Sequence, residues 1–276
     1  MGNRYLFALA ALLLFAQPAI AAPDAVELAA ARIAEQRGAE MYAYDQAARL
    51  ASDRFQADMQ VAQLSKAQVV EAGVQGYLVE PVDNDSLQVT FYSEHDGTRA
   101  AFARYIFLGG QVSGPGILAQ TADRTLSPLA LRLAAARNQA AAQLGKPGHE
   151  ICSQSPPNTI VLPNGNDGKV TAYVMSSTTQ AGVYPAGGHF RFDFDESGQL
   201  TGERRFMNSC FSVDWRNKDG KQTEMMFLTH LLDSQPTEIH AFVSRNIPIP
   251  LAIIIVSKKA LWEVDNGHIT FTRDIE

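Results

Sequence analysis

The hydrophobic positions of this chain change their period several times, and each change predicts a different element. Asp24 and Glu27 form a capping-box pattern. The apolar residues that follow recur at helical spacing, which predicts a long amphipathic helix at the N-terminal end. Arg37 interrupts this stripe and Gly38 follows it, so we expect a kink or a break there. The stripe comprises Val26, Ala30, Ile33, Met41, Tyr44, Ala48, Ala51 and Phe55.

The period becomes two in the segment that comes next. Residues 76–80, 87–93 and 99–108 are rich in Val, Tyr, Phe and Ile, and polar turn sequences separate them. This pattern predicts a three-stranded antiparallel meander. The glycine-rich stretch 109–116 lacks the spacing and the lysine of a phosphate-binding loop, and we interpret it as a flexible connection.

A second helix is predicted in the middle of the chain. Ser127 and Pro128 fit its N-cap and first position, apolar residues follow at helical spacing, and Gly145 stands where a C-cap glycine belongs. Almost every later segment has the pattern of a strand. The sequence therefore predicts an α+β fold built on antiparallel sheets, with units at residues 22–145 and 146–276 that form either one domain or two.

Strict alternation in residues 189–195 places three phenylalanines on one face of a strand and His189, Arg191 and Asp193 on the other. A three-residue hairpin loop at residues 196–198 would set Arg191 opposite Glu203. These four polar residues are our candidates for a ligand-binding face. The alternative is the solvated side of a half-buried sheet, which is common in antiparallel proteins.

A further hairpin is predicted between residues 225–232 and 237–244, although the first arm also fits a helix. In the strand register His230 lies across from His240, and Glu238 shares their face. Two histidines and a carboxylate resemble the ligands of a catalytic metal with an open position, so zinc is a candidate cofactor. The alternative is that the histidines are buried and hydrogen-bonded between two layers.

The last hairpin has the most specific turn signal. Asn266 and Gly267 form the favoured two-residue turn, which pairs Trp262 with Phe271 on an apolar face.

Residues 1–21 have the parts of a cleaved export signal. Arg4 precedes an apolar run at residues 5–16 that is too short to span a bilayer, and Ala19 and Ala21 provide a small-x-small cleavage site. We therefore expect an exported protein, periplasmic or secreted, with no membrane span after cleavage. Because an oxidising compartment favours disulfides, the two cysteines, Cys152 and Cys210, are predicted to form a structural bridge.

Charge and motifs narrow the function. Removing Arg4 from the 23 basic residues leaves 22 against 29 acidic ones, a net charge of −7, so nucleic acid is not an expected partner. The signatures of serine hydrolases, zinc proteases, dithiol oxidoreductases and P-loop enzymes do not occur. The sequence favours a non-enzymatic protein that binds an unidentified protein or small molecule. Two enzymatic alternatives stay open: a metal-dependent hydrolase using His230, Glu238 and His240, and a redox protein using the cysteines.

Overall fold

The structure, a computed structural model, describes residues 22–83, 85–165, 167–178, 180–216, 221 and 223–275. The predicted export signal at residues 1–21 lies outside these ranges. Helices, antiparallel sheets and a strand-rich C-terminal half confirm the α+β prediction.

Helix α1 (Ala25–Val61) is 37 residues long, and its start confirms the predicted capping box. The carboxylate of Asp24 accepts the N–H groups of Val26 and Glu27, and the Glu27 carboxylate accepts the N–H of Asp24. The break predicted at Gly38 does not occur, because the helix continues through this residue. Gly38 instead lets another helix approach closely: a Cβ at this position would lie 2.6 Å from the Cβ of Ala241.

A short helix, α2 (Lys66–Glu71), leads into the first sheet. This sheet is an antiparallel meander of four strands, paired in chain order: β1 (Val74–Pro81), β2 (Ser86–His95), β3 (Thr98–Leu108) and β4 (Gln111–Ile117).

The fourth strand of this meander corrects the sequence interpretation, since it occupies the stretch expected to be a flexible connection. Gly114 and Gly116 adopt positive φ within it. They let β4 pass close to its neighbours, because a Cβ on Gly116 would lie 2.8 Å from Oδ2 of Asp58 on α1. A strand that depends on such glycines carries little of the usual strand signal.

Helix α3 (Pro128–Ala141) begins as predicted, with the Ser127 hydroxyl accepting the N–H of Ala130 at 2.8 Å. It covers one face of the second sheet, where Phe190, Phe192 and Phe194 are buried as the alternation predicts. This sheet has the order β5-β6-β8-β9, and a separate two-stranded ladder joins β7 to β10. The strands are β5 (Asn158–Pro163), β6 (Val170–Met175), β7 (Val183–Pro185), β8 (Phe190–Phe194), β9 (Leu200–Arg205) and β10 (Ser212–Asp214).

The third sheet contains β11 (Met226–His230), β12 (Leu251–Ile255), β13 (Ala260–Asp265) and β14 (His268–Asp274), with a 3₁₀ turn at Val256–Lys258. The predicted hairpin after residue 225 is wrong, because its second arm is a helix, α4 (Glu238–Arg245), and β11 pairs in parallel with β12. A parallel pair needs a crossover connection, which α4 provides. The final hairpin is confirmed, with Trp262 opposite Phe271.

The larger hydrophobic cluster joins α1 to the first and third sheets, and the smaller one lies between α3 and the second sheet. The predicted disulfide is confirmed: Cys152 and Cys210 are bonded across a separation of 58 residues. In the chain-entropy model a loop of this size stabilises the fold by about 4 kcal/mol.

Candidate functional site

A pocket of about 440 Å³ opens between α1, the second sheet and the start of α4. Four groups of residues line it: one face of α1, two positions on β6, one each on β8 and β9, and the turn into α4. They are Ala30, Ile33, Ala34, Arg37, Thr171, Tyr173, Arg191, Arg204, Gln235, Pro236, Thr237 and Glu238.

Arg37 carries the charge that interrupts the apolar stripe of α1, and it points across the pocket mouth to the second sheet. Its Nε donates to the Tyr173 hydroxyl at 3.2 Å, and its Nη1 and Nη2 donate to Glu40 and Asn164, each at 2.7 Å. Burial alone would lower the pKa of Arg37, but Tyr173 and Glu40 outweigh it and the pKa is raised. The guanidinium is therefore fixed in position and stays cationic.

Arg191 and Glu238 form the centre of the site. Nη1 of Arg191 donates to Oε1 of Glu238 at 3.0 Å, and its Nε donates to Oδ2 of Asp193 at 3.1 Å. The Tyr173 hydroxyl donates to the same Glu238 oxygen at 3.3 Å. Burial and the Glu238 charge raise the pKa of Tyr173, so the phenol keeps its proton and acts as a donor. The strand that carries Arg191 and the helix that carries Glu238 are thereby tied together.

Arg204 contributes the third guanidinium to the lining. Its Nη2 donates to Oδ1 of Asp233 at 2.6 Å, and its charged carbon lies 4.7 Å from the centroid of the Phe206 ring. The second oxygen of Asp233 lies 2.7 Å from Nε2 of His230. Although burial works in the opposite direction, His230 and Arg204 lower the pKa of Asp233, which stays ionised.

The lining is positively charged in an acidic protein. It contains three guanidinium groups and one carboxylate, Glu238, whereas the whole chain carries a net charge of −6. Glu40, Asp193 and Asp233 each form an ion pair with one of these arginines from behind the lining, so the guanidinium charge is balanced from outside the pocket while the N–H donors face into it. The pocket therefore presents many hydrogen-bond donors and few acceptors.

The wall opposite these charges is apolar. Ala30, Ile33 and Ala34 of α1 form it together with Pro236. The side of α1 that carries Ile33 was predicted to be buried, but Ile33 is 65% exposed and Val26 is 75% exposed. Small residues, Ala31 and Ala34, are buried in their place.

Two of the predicted metal ligands meet, but the third does not join them. The rings of His230 and His240 pack edge to face, 4.7 Å apart, because α4 returns over β11 and not through the predicted strand register. Glu238 points away to Tyr173 and Arg191. In the described part of the chain, no group of three or more His, Cys, Asp or Glu side chains is placed to hold a metal ion.

The environment of His240 is that of a buried neutral ring. Its Nδ1 accepts the N–H of Thr237 at 3.0 Å, so the proton of the neutral form lies on Nε2, which has no hydrogen-bond partner among the described residues. Burial and the nearby His230 lower its pKa well below the usual value.

The four candidates for a ligand-binding face are divided by the structure. Arg191 lines the pocket and Asp193 supports it. His189 is buried beneath, with its Nδ1 accepting the N–H of Ser176 and its Nε2 3.0 Å from the Pro185 carbonyl oxygen. Glu203 lies on the other face, 3.5 Å from His149.

A β-bulge explains why the predicted register is wrong. It lies between Asp193 and Phe194, so Arg191 pairs with Arg204 and Phe192 pairs with Glu203. A shift of one residue moves a side chain to the opposite face, and Arg204 therefore takes the place expected for Glu203. Arg37 and Tyr173 were also missed, although the charge of Arg37 within an apolar stripe was a usable signal.

The chain matches no protein-family model, no curated protein and no solved structure. Within the described ranges, no helix combines the length and the hydropathy needed to cross a membrane.

Proposed function

We propose that this chain is a non-enzymatic binding protein whose pocket holds a small anionic ligand. The observation that carries the proposal is the concentration of Arg37, Arg191 and Arg204 around one concave site of about 440 Å³. Ligand pockets typically combine this size with a few fixed polar groups. Guanidinium groups recognise carboxylates and phosphates through paired N–H donors.

The arginines are held in place before any ligand arrives. Arg37 and Arg191 each contact more than one element, and Arg204 is bonded to Asp233 and lies over an aromatic ring. Fixed side chains lose little conformational entropy on binding, which favours affinity. In these contacts Arg191 uses two of its five N–H groups and Arg204 uses one. An anion can therefore bind the remaining N–H groups while the bonds to Glu238, Asp193 and Asp233 stay in place.

We also propose that the protein is exported, to the periplasm or outside the cell. The support is the sequence pattern of residues 1–21 and a disulfide of the kind that persists in oxidising compartments. Expression of the full chain with a C-terminal tag in a bacterial host tests this. We expect a periplasmic product that begins at Ala22, and a cytoplasmic product that retains residue 1 would contradict the proposal.

Isothermal titration with acetate, succinate and inorganic phosphate tests the anion site. We expect saturable binding of at least one anion, and Arg191→Gln should weaken it by about tenfold or more, because a hydrogen bond to a charged group contributes about 1.5–3 kcal/mol. Arg204→Gln serves as a second variant, since it removes the bond to Asp233, whereas Arg191→Gln removes the bond to Glu238.

Arg99→Gln is the matched control. Arg99 forms an ion pair with Glu94 and is about as exposed as Arg191, but it lies on the first sheet away from the pocket. Binding that is equal in Arg99→Gln, Arg191→Gln and the wild type would contradict a pocket site. So would the lack of saturable binding for any of the three anions.

A further inference from the structure

The pocket has two walls of opposite chemistry, and this difference bears on the kind of ligand. The sheet and α4 contribute Arg191, Arg204 and Glu238, whereas α1 contributes Ala30, Ile33 and Ala34, with Arg37 one turn further along the helix. We infer that the ligand is an amphiphilic carboxylate, with an anionic head at the arginines and an apolar body along α1. This inference rests on the proposed anion site and specifies what else the ligand carries.

The exposure of Ile33 is the first argument. A single exposed apolar side chain on a convex surface needs no explanation. Ile33, however, is 65% exposed while it lines a concave site, and Pro236 lines the same site from the turn into α4. A ligand that offers only an anionic group would leave this wall in water, whereas an apolar body would bury it.

The volume of the pocket is the second argument. At about 30 Å³ for each water-sized group, a space of about 440 Å³ accommodates roughly 15 non-hydrogen atoms. An isolated carboxylate or phosphate fills only a fraction of it. A carboxylate with an apolar chain of roughly ten carbons matches the available space.

The shape of the donors selects the head group. Guanidinium presents a planar fork that matches the two oxygens of a carboxylate. Arg191 and Arg204 are carried by strands that pair directly, residue against residue, so their donors flank the same region of the pocket. Because Glu238 would repel a second negative charge nearby, a monoanionic head is favoured over a dianionic one.

Titration calorimetry with acetate, hexanoate and decanoate, kept below the micellar range, tests the inference. Each buried methylene should raise the affinity by about fourfold, so we expect decanoate to bind at least tenfold more tightly than hexanoate. Ile33→Ser should weaken decanoate binding more than hexanoate binding, and so reduce this ratio, and it should affect acetate least. Arg191→Gln should weaken all three ligands.

Val61→Ser is the matched control, because Val61 is an exposed residue of the same helix that lies outside the pocket. If acetate and decanoate bind with equal affinity and Arg191→Gln weakens both, the ligand is not an amphiphile, although the proposed anion site still stands. An affinity for decanoate that is the same in Arg191→Gln and in the wild type would also overturn the inference. Failure of these carboxylates together with succinate and phosphate would remove the anion site itself.

Discussion

The two ends of α1 meet very different surroundings. Toward its C-terminal end, Tyr44, Ala48, Ala51, Phe55 and Met59 are buried, and the Phe55 ring stacks on Phe91 with centroids 4.3 Å apart. Toward its N-terminal end, Val26 and Ile33 are exposed, and Ile33 lines the pocket together with three arginines. One end is closed by the first sheet, and the other leaves an apolar wall open opposite fixed charges.

This difference shows how one helix serves both stability and binding. The covered end contributes apolar area that is removed from water when the chain folds. The open end keeps its apolar area exposed, so a ligand rather than the fold can bury it. At the open end Gly38 sets the distance to α4, since it leaves no room for a side chain between the two helices.

The largest effect is expected at the covered end. Phe55→Ala should lower the free energy of unfolding by about 3–5 kcal/mol, because it removes a buried ring and leaves a cavity beside Phe91 and Phe102. Urea denaturation measures this loss. Phe227→Ala, at a ring that is 59% exposed, is the control and should change the stability by less than about 0.5 kcal/mol. Equal losses in the two variants would show that the covered end is no better packed than the surface.

The next largest effect is expected on acidification, because His189 beside β8 and His240 on α4 are both buried. Burial lowers the pKa of His189 to about 4, whereas an unfolded histidine titrates near 6.5. Between these values the unfolded chain binds more protons, so the free energy of unfolding falls as the pH falls, by about 3 kcal/mol for this group near pH 4. The lowered pKa of His240 on α4 acts in the same direction.

Urea denaturation at pH 7, 5.5 and 4.5 measures this dependence, and His189→Gln should make it shallower. Because α4 carries His240 and borders the pocket, hydrogen exchange at pH 4.5 should increase in residues 237–245 before it increases in β2. Faster exchange in β2 first would contradict the division between the two ends.

Gly38→Ala should have an intermediate effect. The added methyl group would meet the Cβ of Ala241 at 2.6 Å and the backbone oxygen of Glu238 at 2.9 Å, so α4 must move. Overpacking costs about 1–3 kcal/mol, and this outweighs the gain of up to about 1 kcal/mol from replacing a helical glycine. We expect a net loss of about 1–2 kcal/mol in urea denaturation, together with weaker anion binding.

Gly202→Ala is the control for this variant, since its nearest neighbour would lie at an ordinary 3.4 Å. Its stability should not fall. A Gly38→Ala variant as stable as the wild type would show that α4 is free to move away from α1.

The smallest effect on stability is expected at the open wall itself. Ile33→Ser should change the free energy of unfolding by less than about 0.5 kcal/mol, as for other exposed positions. Val61→Ser, at a residue that is 86% exposed, should behave in the same way. A loss above about 1 kcal/mol for Ile33→Ser alone would mean that the fold already buries this wall, and the comparison between the two ends would fail.

Local signals in the sequence predicted several elements correctly, because each of them depends on neighbouring residues. The capping box at Asp24 and the cap at Ser127 satisfy backbone N–H groups within a single turn. The turn at Asn266 and Gly267 sets the register of its own hairpin. Residues 237–244 were misassigned to a strand, since periodicity cannot distinguish a helix from a strand in a segment as short as this one, which is also buried on nearly every side.

The candidate site was only partly predictable. Arg191, Asp193 and Glu238 were singled out in advance, but for roles on separate sheet faces. Because of the bulge after Asp193, Arg204 and not Glu203 shares the face of Arg191. No residue type in that hairpin indicates that a bulge forms there.

The sequence by itself determined the starts of α1 and α3, the final hairpin, the disulfide partners and the alternation that buries three phenylalanines. Only the tertiary structure decided that Arg37, Arg191 and Arg204 surround one pocket, since they come from α1, β8 and β9. It also decided which side of α1 is covered. The physical reason is that caps and turns are satisfied by near neighbours, whereas a pocket depends on how distant elements approach, and that distance is set by small residues such as Gly38.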